Sequence, residues 1–126
     1  MITQQLSIFL KNEPGVLADV CEALAAGNVN IQAMSVSDTV DHAVVRLVVD
    51  QPQKAIHLLG DRGLLVVEAE VLALELSNTP GTLAHTARKL AQAGVNIEYA
   101  YGSGDGDKCI LIFRVSDTHR AEQAIR

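Results

Sequence analysis

Hydrophobic and polar positions alternate near the start of the chain in the manner of a strand with one buried face. Leu6, Ile8 and Leu10 form the apolar stripe, while Ser7, Phe9 and Lys11 point the other way. Leu72, Leu74 and Leu76 repeat that stripe. After each stripe the spacing becomes helical, with Leu17, Val20, Cys21 and Leu24 in one place and Leu83, Ala87 and Leu90 in the other. Pro14 and Pro80 suit a first helical turn, where a missing N–H costs nothing, and Asn12 and Asn78 stand ahead of it as caps or turn residues. Gly27-Asn28 and Gly94 end these helices, because glycine and asparagine tolerate the left-handed conformation. New strands open at Val29 and Val95. Ser37–Asp41 and Gly102–Asp107 read as hairpin loops, and Ala43–Val49 and Cys109–Val115 as third strands. Asp50 and Pro52 start a second helix that buries Ala55, Ile56 and Leu59 and stops near Gly63. Ser116 or Asp117 caps its counterpart, which carries Ala121, Ala124 and Ile125.

The chain is a duplication. A shift of roughly 66 residues lays Asn12-Glu13-Pro14-Gly15-Val16-Leu17-Ala18 over Asn78-Thr79-Pro80-Gly81-Thr82-Leu83-Ala84, without a gap. The same shift pairs Leu24-Ala25 with Leu90-Ala91, and Val29-Asn30-Ile31 with Val95-Asn96-Ile97. The element order is β-α-β-β-α-β followed by β-α-β-β-α, which predicts an α+β fold of two tandem ferredoxin-like units. Each has an antiparallel sheet with both helices on one face. The expected units are residues 1–70 and 71–126. Leu64–Glu70 supplies a last strand to the first, and the second lacks one, so its edge is either truncated or covered by a neighbouring segment. Phe9, Val44, Val48, Ile110 and Ile112 alternate onto the sheet face away from the helices. An apolar outer face predicts association, most simply a homodimer.

Composition narrows the function. The net charge is −5 and the lysines and arginines are scattered, which argues against nucleic acid and anionic membranes as partners. No apolar run approaches the roughly 18–20 residues of a membrane-spanning helix. The first residues carry no basic signal-peptide region, so a cytoplasmic setting is expected. Cys21 and Cys109 form no metal or disulfide pattern, and His42, His57, His85 and His119 lack ligand partners at helical spacing. No nucleophile, acid–base pair or cofactor motif is evident, so no enzyme activity and no cofactor is expected. The glycine-rich stretch at 102–107 joins strand to strand, whereas a phosphate cradle needs a helix directly after it.

Asn12-x-Pro14-Gly15-x-Leu17-Ala18, followed by Leu24-Ala25 and Val29-Asn30-Ile31, resembles the signature of the ACT domain. Asn78-x-Pro80-Gly81-x-Leu83-Ala84, with Leu90 and Val95-Asn96-Ile97, resembles it independently. The resemblance spans nearly the whole chain. It implies small regulatory modules that bind a free amino acid, pair with one another and modulate a partner enzyme. Carried across by residue, the implied site is Asn12, Glu13, Pro14, Gly15, Val16 and Leu17 with Asn30 and Ile31. In the second copy it is Asn78, Thr79, Pro80, Gly81, Thr82 and Leu83 with Asn96 and Ile97. The physics is compatible: a helix start leaves amides unpaired and carries partial positive charge, so a carboxylate docks there, and glycine lets it approach closely. The plainer account is that Pro-Gly turns strand into helix and the asparagines satisfy local backbone. On that account the chain is a structural interaction module without a ligand.

Overall fold

The structure, a computed structural model, describes residues 1–126. Ten elements follow in order: β1 (Ile2–Lys11), α1 (Val16–Ala26), β2 (Ile31–Asp38), β3 (His42–Val49), α2 (Pro52–Gly60), β4 (Val66–Ser77), α3 (Thr82–Gln92), β5 (Ile97–Asp105), β6 (Lys108–Val115) and α4 (Thr118–Ile125). They divide into two compact units. The first holds Gln4–Ala69, and the second holds Met1–Thr3 together with Glu70–Arg126.

In the first unit the strands lie in the order β2-β3-β1-β4. The hairpin β2–β3 and the pair β1–β3 are antiparallel, with Leu6 opposite Leu47 and Ile8 opposite Val45. One face of this sheet, with Leu6, Ile8, Leu10, Val45 and Leu47, closes on Val20 and Leu24 of α1 and on Ala55 and Leu59 of α2. Leu64 and Val66, leading into β4, pack on the same core. In the second unit β4 pairs with β6 and β6 with β5, again antiparallel. Its core gathers Leu72, Leu74, Leu90, Val95, Phe113, Val115 and Ala121.

The start of the chain lies against β4 in the second unit. Met1 accepts a hydrogen bond from the Ala73 amide at 2.7 Å, and Ile2 packs on the Phe113 core. Met1–Thr3 thus belongs with residues 70–126, a grouping that differs from the expected division at residue 70. Periodicity could not find this, because three residues joined to a longer strand carry no pattern of their own.

The helix ends follow from a shared local chemistry. Asn28 (φ 59°) and Gly94 (φ 74°) are the left-handed residues after α1 and α3. The Val29 amide donates to the Leu24 carbonyl and the Asn28 amide to that of Ala25. Val95 to Leu90 and Gly94 to Ala91 repeat the pair, so both helices end in a Schellman motif. At α4, Asp117 caps by accepting from the Arg120 amide at 3.0 Å. Asp50 and Ser116 do different work: their side chains accept from the Asn30 and Asn96 amides at 2.9 and 3.0 Å. Each ties the entry of one strand to the exit of its neighbour.

Two expectations are corrected. Gly102–Asp105 is strand rather than loop, paired in register with Lys108–Leu111, so only Gly106-Asp107 turn the chain. Glycines are required there by close approach: a side chain at Gly102 would run into the β6 backbone, and one at Gly104 into Asn78. The apolar outer face is also smaller than alternation implied. Val48 and Ile112 are 4% and 2% exposed within the single chain, whereas Phe9 and Ile110 are 43% and 54% exposed. Ile112 lies mid-strand with Ala73 on one side and the large side chain of Tyr101 on the other, and Val48 has Ala33 opposite it.

Candidate ligand-binding loops

Both strand-to-helix loops adopt one conformation. The Val16 amide donates to the Glu13 carbonyl at 3.4 Å and the Thr82 amide to the Thr79 carbonyl at 3.3 Å. Gly15 (φ 87°, ψ −16°) and Gly81 (φ 93°, ψ −15°) take the third position of a type II turn, which needs positive φ, and Pro14 and Pro80 take the second. The glycines, not the asparagines, are the residues at the helix N-caps, and neither helix has a side-chain cap. Pro14 and Pro80 therefore precede the helix instead of occupying its first turn. The reason is steric: a left-handed residue after proline ends the turn, and helical φ and ψ begin only at Val16 and Thr82.

This geometry leaves donors open. The Asp19 amide donates to the Gly15 carbonyl and that of His85 to Gly81, as the first helical bonds of their kind. The amides of Gly15, Leu17 and Ala18, and of Gly81, Leu83 and Ala84, donate to no protein acceptor. Nothing crowds Gly15 or Gly81 within 4 Å of where a Cβ would stand, so both turns are open above the backbone. Asn12, Glu13, Pro14 and Gly15 are exposed, as are their counterparts Asn78, Thr79, Pro80 and Gly81. Val16, Leu17 and Thr82 are half-buried, and Leu83 is exposed.

The Asn-Ile pairs do not join these loops. Asn30-Ile31 and Asn96-Ile97 follow the far ends of α1 and α3. Eleven helical residues of about 1.5 Å rise place them roughly 16 Å from the Pro-Gly turns. The Asn30 and Asn96 backbones are taken up by Asp50 and Ser116, and Ile31 and Ile97 pack on their unit's core. What does lie against each loop is the tip of the following hairpin. The Asn12 amide donates to Asp41 at 3.0 Å, and the Asn78 amide to Asp107 at 2.8 Å.

The two loops differ in how their side chains are engaged. Asn78 lies over Gly104 and its Nδ2 donates to the Gly106 carbonyl at 2.9 Å. Thr79 and Thr82 share a hydroxyl hydrogen bond of 2.8 Å, and Ser77 joins Thr79 at 3.3 Å. In the first unit the side chains of Asn12 and Glu13 make no such bonds. Asn78 was singled out in the sequence, but its rest on Gly104 was not; the signal was the pair of alternating glycines at 102 and 104, each facing something that needs room. Asn78→Ala is expected to lower stability by about 1 kcal/mol through loss of its hydrogen bond, and Asn12→Ala to leave it unchanged within about 0.5 kcal/mol. Urea denaturation of both variants checks this.

No group of three or more His, Cys, Asp or Glu side chains comes together. His119 lies 3.8 Å from Glu70, which also accepts from Thr118 at 3.1 Å, a surface arrangement within the second unit. No helix is long and apolar enough to cross a membrane.

Two ferredoxin-like units of the βαββαβ type, each opening its first helix on a Pro-Gly turn, make up a tandem α+β module. The chain belongs to the ACT domain family: the profile of the ACT domain pair matches residues 1–126. The crystal structure of protein BT0572 from Bacteroides thetaiotaomicron superposes with a TM-score of 0.95 at 33% identity, over 99% of this chain and 87% of that one. The ligand-free regulatory subunit of aspartate kinase from Thermus thermophilus superposes at 0.77 with 19% identity, over 100% of this chain and 91% of that one. The corresponding subunit from Thermus flavus gives 0.68 and 17%, over 100% and 96%. No curated protein matches the sequence.

Proposed function

We propose that the chain is a non-enzymatic regulatory protein that binds a free amino acid and modulates a partner enzyme of amino-acid metabolism. The observation that carries this reading is the repeated Pro-Gly turn with three undonated amides at each helix start. Those amides and the helix dipole suit a carboxylate, while the exposed oxygens of Asn12 or Glu13 suit an ammonium group. The first loop is the stronger candidate, since Asn78 and the threonine hydroxyls of the second are already engaged within the protein. Aspartate kinase regulatory subunits, built on the same fold, are a precedent for a partner enzyme. Homodimerisation through the remaining apolar surface, around Phe9 in the first unit or Ile110 in the second, and a cytoplasmic setting belong to the same proposal.

A ligand-free interaction module is the second reading, favoured by one fact: the type II turns give proline and glycine a structural role of their own. Thermal denaturation against each of the twenty amino acids separates the two. At a hundred times its dissociation constant a ligand adds about 2.7 kcal/mol, a rise of roughly 10 °C or more for a protein of this size. Asn12→Ala should abolish that rise without changing the melting point of the free protein. A folded protein that responds to none of the twenty contradicts amino-acid binding.

A further inference from the structure

One cavity of the first unit opens beside its Pro-Gly turn. It measures about 210 Å³ and is lined by Leu10 near the end of β1, by Val16, Asp19 and Val20 at the start of α1, and by Arg62 and Leu64 after α2. At about 30 Å³ for a water, it has room for about seven water-sized groups, enough for a side chain of three or four carbons. The open amides of Leu17 and Ala18 fall between the lining residues Val16 and Asp19, so cavity and amides share one helical turn of about 5 Å.

Its wall has two parts. The floor is aliphatic: Leu10 and Val20 are buried, and Val16 and Leu64 are half-buried. The rim carries one charge of each sign, Asp19 and Arg62, both exposed, and neither makes an ion pair or a side-chain hydrogen bond within the chain. A charged ligand group at this rim meets an opposite and a like charge together, and exposed pairs are weak in any case. Apolar burial is the larger effect, at about fourfold in affinity for each CH₂. The floor decides. In the second copy the Pro-Gly turn recurs but this wall does not. The 66-residue offset lays Val16, Asp19 and Val20 over Thr82, His85 and Thr86, and the Thr86 hydroxyl donates to the Thr82 carbonyl at 3.1 Å.

We propose that this cavity receives the side chain of the amino acid held at the first loop, and that the ligand is of the branched aliphatic class: valine, leucine or isoleucine. The inference rests on the reading of that loop as the amino-acid site and adds which side chain it admits. The ligand carboxylate stays on the loop amides, while its side chain leaves water for Leu10, Val16, Val20 and Leu64. Asp19 and Arg62 between them leave neither an acidic nor a basic side chain a net gain. The second copy, with threonines at the matching positions, does not share the preference.

The test is titration calorimetry of the full chain with leucine, isoleucine, valine, alanine, glutamate and lysine, with melting points measured alongside. The best of the three branched amino acids should bind roughly tenfold or more tightly than alanine, and glutamate and lysine no more tightly than alanine. Val16→Thr, which gives the first copy the residue of the second, should weaken that ligand several-fold and alanine hardly at all, with circular dichroism unchanged. Arg62→Ala, which leaves Asp19 alone on the rim, should improve lysine by about twofold. Binding that Asn12→Ala abolishes, but that is equal for alanine or stronger for glutamate or lysine, overturns the pocket and leaves the loop reading standing. Branched-ligand binding that survives Asn12→Ala and falls in Val16→Thr supports the pocket and counts against the loop contact. No binding of any branched amino acid overturns the pocket, and silence from all twenty overturns both.

Discussion

Phe113→Ala is expected to lower the stability of the protein by about 3–5 kcal/mol, moving the urea midpoint down by roughly 2 M. Phe113 is fully buried, on the central strand β6, in contact with the leucines of β4 and with Leu90 of α3. Aromatic residues make up only 3% of the chain, so this ring is a large share of the bulk in a core otherwise made of Leu, Val and Ala. Removing it takes away transfer free energy and leaves a void that small neighbours cannot close. Ile110→Ala supplies the contrast on the same strand. Ile110 lies on the opposite face and is 54% exposed, so its loss should cost less than about 1 kcal/mol. Equal effects of the two substitutions would contradict the assignment of faces on β6.

Gly102→Ala should cost about 2–3 kcal/mol, although it adds a single methyl group at a half-open edge strand. The added Cβ would meet the Ile110 carbonyl oxygen, and it would stand 2.9 Å from the Leu111 Cα. Both atoms belong to the backbone of β6, which is paired on both sides and cannot step away. The neighbouring position is informative by comparison. At Gly104 the added atom would stand 2.7 Å from the Asn78 Oδ1, the end of a side chain that can swing aside at the loss of its hydrogen bond to Gly106. Gly104→Ala should therefore cost about 1 kcal/mol in the native background and nearly nothing once Asn78 is alanine. Additive effects in that double-mutant cycle would show that Asn78 does not depend on the missing side chain.

Local patterning made most of the scaffold legible. The strand stripes at Leu6–Leu10 and Leu72–Leu76, the helices after them and the left-handed residues Asn28 and Gly94 all depend on contacts within a few positions. The Pro-Gly pairs were read correctly as punctuation and wrongly as the first helical turn. Proline fits either place, and only the positive φ of Gly15 and Gly81 decides between them. The candidate loops were located for the same local reason. Their unequal engagement was not legible, because the bond from Asn78 to Gly106 spans 28 positions and depends on the register of the β5–β6 hairpin.

The sequence by itself determined that the chain is a tandem duplication of strands and amphipathic helices, since a 66-residue offset and the periods of two and 3.6 are written in it directly. The tertiary structure alone decided that Met1–Thr3 goes with residues 70–126, and that alternate glycines make room for Asn78 and for a strand backbone. The physical reason is shared: each of these depends on which backbone lies opposite which. Strand pairing between distant segments leaves no mark on the spacing of side chains within either one.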